Sequence, residues 1–143
     1  MKKLMVMIVA LLGVAAACAD DRPIAVEKLP QAARQFIADH FSAEKVAFAK
    51  VDGGVTGPEY EVVFNSGTKI EFLKNGEWKD VDCRYSAVPS AIVPRQIVAY
   101  VGNNYPDAKI VQIDRDRRGW EAKLSNGLEL SFDREFRLVD IDD

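Results

Sequence analysis

Residues 60–72 read YEVVFNSGTKIEF and residues 120–132 read WEAKLSNGLELSF, and strand-pairing rules turn each stretch into a hairpin. Both alternate apolar and polar residues around a short polar loop ending in glycine, Asn65–Gly67 in one and Ser125–Gly127 in the other. A three-residue loop with the glycine left-handed sets Phe64 opposite Thr68, Val62 opposite Ile70 and Tyr60 opposite Phe72. The second stretch then pairs Leu124 with Leu128, Ala122 with Leu130 and Trp120 with Phe132. A two-residue loop would instead put Val62 against Glu71 and Phe64 against Lys69, which a sheet with one buried face disfavours. The three-residue register sends Glu61, Val63, Lys69 and Glu71 to the other face, with Glu121, Lys123, Glu129 and Ser131, leaving that face to solvent or a partner.

Outward from the hairpins the likeness continues. Pro30 aligns with Pro94, Ala33 with Ile97, Ile37 with Val101, Phe41 with Tyr105, and Asp80-Val81-Asp82 with Asp140-Ile141-Asp142. Each proline suits the first turn of a helix, and the apolar residues behind it recur at helical spacing. The expected fold class is therefore α+β: a tandem repeat of helix plus three or four antiparallel strands, with the helices packed on one face of the sheet. The repeats are expected over about 24–83 and 88–143, inside a domain spanning 20–143. Residues 84–92 form the connector, and Tyr85, Val88, Ile92 and Val93 are expected to be partly buried in it. The last strand of each copy, around Trp78–Cys83 and Leu138–Asp142, alternates poorly and predicts a bulge.

The first residues combine Lys2-Lys3, an apolar run from Leu4 to Ala17 and small residues around Cys18, the pattern of a secretory signal peptide over 1–19. Cleavage after Ala19 and lipidation of Cys18 are both compatible with this stretch, the latter implying a lipid anchor. Either outcome places the protein in the periplasm or at the cell surface, and no later segment is long and apolar enough to span a bilayer as a helix. Removing residues 1–19 takes away two lysines and no acid, moving the formal net charge from −3 to −5. An acidic chain argues against nucleic acid as the partner. Cys83 would be left alone after cleavage before Asp20, so no internal disulfide is expected, and a small buried side chain is its simplest reading.

No arrangement of nucleophile, base and orienting group suggests catalysis, and no cofactor motif is present. His40, the single histidine, reads as a helix surface residue, and Asp114-Arg115-Asp116-Arg117-Arg118 as a charged turn. The carboxylates Asp80, Asp82, Asp140 and Asp142 are the candidate metal ligands, although their spacing matches no calcium loop. Tyr85 and Tyr100 are the aromatic candidates for a contact surface. The charged face carrying Glu61, Lys69, Glu71, Glu121, Lys123 and Glu129 is the other candidate for partner binding.

The segment from Arg22-Pro23-Ile24 to Leu29-Pro30, the strands YEVVF and NSGTKIEF, the run from Gly76 to Cys83, Val88-Pro89, Ile92-Val93-Pro94 and Asn104-Tyr105-Pro106-Asp107-Ala108-Lys109 together resemble the PepSY-like family of exported Bacteroidetes proteins. The layout also resembles a β-lactamase-inhibitor-like fold. The resemblance implies kinship with domains that restrain secreted peptidases and with a sheet that grips an enzyme. The expected function is thus a non-catalytic exported binding module for an envelope or secreted protein, with a small-molecule or calcium-binding periplasmic protein as the alternative.

Overall fold

A computed structural model describes residues 21–53 and 57–143. The signal peptide over 1–19 and the candidate lipidation site Cys18 lie outside the described residues. Nine strands form one antiparallel sheet in the order β1 to β9, so each strand pairs with its neighbours in sequence. The strands are β1 (Asp21–Ile24), β2 (Val46–Asp52), β3 (Glu59–Phe64), β4 (Lys69–Phe72), β5 (Trp78–Asp82), β6 (Ile110–Arg115), β7 (Gly119–Leu124), β8 (Glu129–Asp133) and β9 (Leu138–Asp142). Two helices of ten residues, α1 (Gln31–His40) and α2 (Arg95–Asn104), sit in the β1–β2 and β5–β6 connections.

This architecture corrects the expected tandem repeat of helix-plus-strand units. The sheet does not break between the supposed copies, because Asp80, Val81 and Asp82 of β5 pair with Asp114, Ile113 and Gln112 of β6. The physical reason lies in β5 itself. A strand whose apolar face carries Trp78 and Val81 exposes an unsatisfied ladder unless another strand continues it, and the alternating Val111 and Ile113 of β6 supply that continuation. The described residues form a single sheet with two short α-helices, and the likeness of 60–72 to 120–132 marks two hairpins within it.

Both hairpins take the three-residue register. Tyr60 faces Phe72 and Val62 faces Ile70, while Trp120 faces Phe132 and Ala122 faces Leu130. Gly67 and Gly127 close the loops at positive φ of 94° and 92°, the conformation that glycine adopts without steric penalty. Register shifts at Glu71/Phe72 and Ser131/Phe132 place bulges where β5 and β9 begin. They explain the broken alternation there, since an extra residue on one strand reverses the face of everything before it.

The pairings run through as one apolar row across the sheet. Ile24, Ala49, Val62, Ile70, Val81, Ile113, Ala122, Leu130 and Ile141 lie side by side from β1 to β9. The helices cover this face. Phe36 of α1 meets Phe72 edge-on at 5.8 Å, and Tyr100 of α2 meets Phe132 edge-on at 5.6 Å, an aromatic geometry favoured by the ring quadrupoles. Ala33, Ile97 and Val101 are buried in the same cluster. Pro30 and Pro94 stand at the N-cap positions, one residue before each helix proper. In the connector Val88, Ile92 and Val93 are buried, whereas Tyr85 is 86% exposed, contrary to its expected partial burial.

Candidate functional site

Alternation along the strands puts a second row on the opposite face, directly between the apolar ones. It reads Lys50, Glu61, Glu71, Asp80, Asp114, Glu121, Ser131 and Asp140 from β2 to β9. Adjacent strands lie about 4.8 Å apart, so five consecutive carboxylates stand on neighbouring strands with no residue between them.

Among the described residues, direct ion pairs within this row reach only its Glu61 end. Lys50 Nζ lies 3.0 Å from Asp21 and 3.1 Å from Glu61, and Lys69 lies 3.7 Å from Glu61. Lys79 pairs with Glu59 at 2.7 Å. Further along, carboxylates face one another, and the energetic consequence is proton retention. Burial raises the Glu71 carboxyl above its usual range, and Asp80 beside it adds to the effect. Asp80 is raised by burial, partly offset by the amide of Gln112, which donates to both carboxylate oxygens at 3.1 and 3.3 Å. Asp114 is pushed up to about 7, first by burial and then by the charges of Glu121 and Asp80. Glu121 is raised by desolvation and by Glu129. Desolvation and like charge act in the same direction on an acid, both favouring the neutral form.

The row forms one wall of a groove of about 590 Å³ towards the β7–β9 end, which Trp120 and Val139 also line. Arg115 closes it. Its guanidinium lies 4.0 Å from the centre of the Trp78 ring and 5.7 Å from that of Trp120, and its Nε donates to the Trp78 carbonyl at 2.9 Å. Stacking on two indoles and a backbone acceptor holds the cation where burial disfavours its charge.

The expected partner-binding residues Glu61, Lys69, Glu71, Glu121, Lys123 and Glu129 share this face, in two neighbouring rows. Tyr85 protrudes from the connector, and Tyr100 packs on the helix side against Phe132, so the structure does not bring the two tyrosines to the carboxylates. Nor does it bring the four candidate metal ligands together. Asp80 and Asp82 are on β5 and Asp140 and Asp142 on β9, four strands away, which at strand spacing is about 19 Å. Among the described residues no group of three His, Cys, Asp or Glu side chains is arranged to hold a metal ion. Cys83 is buried, and burial pushes its thiol up to about 11. His40 packs at a tilt against Phe36, with ring centroids 4.8 Å apart.

The sequence reads Asp114 and Arg115 as part of a charged turn, whereas Asp114 stands in the carboxylate row and Arg115 turns to the opposite face against Trp78 and Trp120. Asp114 and Arg115 belong to β6, and the signal lies in IVQIDR, where Val111 and Ile113 alternate with Gln112 and Asp114 up to the turn that begins at Asp116.

Comparison with known proteins agrees with this fold. Residues 58–140 match a family model described as "Putative beta-lactamase-inhibitor-like, PepSY-like". The crystal structure of a "putative calcium-regulated periplasmic protein" from Bacteroides thetaiotaomicron is similar with 51% identity and a TM-score of 0.85, covering 88% of this chain and 99% of that one. A "putative periplasmic protein" from Bacteroides vulgatus has 51% identity and a TM-score of 0.84, over 87% of this chain and 98% of that one. A second protein from Bacteroides vulgatus, titled a "putative periplasmic protein of unknown function", has 39% identity and a TM-score of 0.82, over 86% and 99%. No curated protein matches the chain. The chain is an exported protein of the periplasm or cell surface, in keeping with relatives described as periplasmic, and among the described residues no helix is long and apolar enough to cross a membrane.

Proposed function

We propose that this chain, a member of the PepSY-like family, is a non-catalytic binding module that presents the free face of its sheet to an envelope or secreted protein. The observation that carries this reading is the row Glu61, Glu71, Asp80, Asp114 and Glu121, five carboxylates on five adjoining strands. Such a row costs stability through repulsion and desolvation, and a cationic partner surface recovers that cost on docking. Lys69, Lys123 and Glu129 in the neighbouring row set register with the partner, and Tyr85 offers an exposed aromatic beyond the sheet. Restraint of an enzyme is the form of binding that the family's inhibitor-like description suggests.

The test is affinity capture of envelope proteins at low and high salt, with a variant carrying Glu71→Gln, Asp80→Asn, Asp114→Asn and Glu121→Gln in parallel. Capture that weakens with salt and fails with the variant supports the reading. Recovery of no partner, or of the same partners by both proteins, overturns it.

A second reading, calcium or small-molecule binding, is favoured by one observation: the relative from Bacteroides thetaiotaomicron carries "calcium-regulated" in its name. Here Asp80 with Asp82, or Asp140 with Asp142, would contribute ligands as separate pairs. Binding to the folded state raises the melting temperature with ligand concentration. A calcium titration that leaves the melting curve in place refutes this reading.

A further inference from the structure

β9 ends the sheet, and among the described residues no strand lies on its outer edge. It sits on β8 as β5 sits on β4. Leu138 and Ile141 face Phe132 and Leu130, as Trp78 and Val81 face Phe72 and Ile70. The two strands differ at their outer edges. β5 is covered by β6, and Val81 is 0% exposed; Ile141 at the equivalent register is 45% exposed, and Val139, at the bulge of β9, 63%.

β6 therefore displays what such an edge accepts. Ile113 lies opposite Val81, and Gln112 lies opposite Asp82 while its amide donates to Asp80. At the next position β6 is badly matched, because Asp114 faces Asp80 and holds its proton up to about 7. Transferred to β9, the pattern asks for an apolar residue opposite Ile141 and hydrogen-bond donors opposite Asp140 and Asp142. Asp143 comes next in the chain, and Glu129 stands beside Asp142 on β8. With so many acids in reach, cationic donors are the match.

A second copy does not fit this edge. Antiparallel pairing of β9 with itself brings Asp140 and Asp142 against the same carboxylates, and like charges in facing positions destabilise a strand pair. The opposite edge, β1, offers Asp21 and Pro23, the latter without an N–H.

We propose that β9 is a strand-addition site for an extended cationic segment of an exported or envelope protein, reading basic–apolar–basic opposite Asp142, Ile141 and Asp140. Backbone ladder bonds supply attachment, and the alternating side chains supply selection. This surface is the outer edge of β9 and adjoins the free sheet face, whose charged row ends at Asp140.

The test titrates the isotope-labelled exported protein with acetyl-Lys-Val-Lys-Val-Lys-Val-Lys-amide and with a peptide of the same composition in two blocks. The alternating peptide is expected to bind and to slow hydrogen exchange of the amides in Leu138–Asp142. Asp140→Lys with Asp142→Lys, both exposed, is expected to leave the melting temperature nearly unchanged and to weaken binding about tenfold or more. Equal binding of the block peptide, shifts confined to the Glu71–Asp114 row without protection in β9, self-association through β9, or no binding would each overturn the proposal. Shifts confined to that row would leave the reading of the free face standing.

Discussion

Replacing Asp114 by asparagine should stabilise the protein in alkaline solution and do nothing in acid. In the unfolded chain the aspartate releases its proton near 3.9, whereas in the fold burial and the charges of Glu121 and Asp80 hold it until about 7. Between these values the native state binds the proton and the unfolded state does not, so stability falls as pH rises through the interval. Above about 7 both states are ionised and the cost is fully present; below about 4 both are neutral and it vanishes. A displacement of about 3 units corresponds to about 4 kcal/mol without screening. Because the carboxyl is only half-buried, solvent reduces the effect to about 1–2 kcal/mol. Asp114→Asn keeps the shape and removes the charge, and it also relieves its neighbours. Urea denaturation of both proteins from pH 4.5 to 8.5 should show the curves separating as pH rises, with the variant more stable at pH 8. Parallel curves, or a variant less stable at pH 8, would refute the argument that desolvation and like charge dominate this position.

Other perturbations act through single contacts. Gly119 has φ of 150°, and a Cβ built there would lie 2.0 Å from the Phe132 carbonyl oxygen, so Gly119→Ala should cost about 2 kcal/mol or more in chemical denaturation by forcing β7 away from β8. Arg115→Ala should lose about 1–2 kcal/mol through the stack on Trp78 and the bond to its carbonyl, and should change tryptophan emission; Arg115→Lys should recover only part of both. Cys83, buried with its thiol pushed up to about 11, should resist alkylation at pH 8 until denaturant unfolds the protein, as peptide mapping by mass spectrometry would show.

Much of the face assignment was legible in the sequence. The loops NSG and SNG specify hairpin register through a left-handed glycine, and register alone decides that Glu61, Glu71 and Glu121 point away from Val62, Ile70 and Ala122. What the residues do not announce is the pairing of β5 with β6. It joins segments separated by the connector and α2, with no turn chemistry to report it, and so the chain read as two units where the structure has one sheet. The same gap concealed the site. Glu71 and Glu121 belong to one carboxylate row only because Asp80 and Asp114 bridge them, and Asp114 was hidden among the charges of residues 114–118. The family resemblance, by contrast, was carried by local segments and did not depend on that junction.

The sequential order of the strands bears on how the chain acquires its structure after export. Hairpin closure between near neighbours sacrifices little loop entropy, and topologies rich in such contacts fold quickly. Two closures are longer: β1 meets β2 across α1, and β5 meets β6 across the connector and α2. The zipper should therefore run rapidly through β2–β5 and through β6–β9 and then wait for the central seam. Until Ile113 reaches Val81, two partial sheets each expose an apolar edge, and it is during that interval that an emerging chain is most open to capture by a foreign strand.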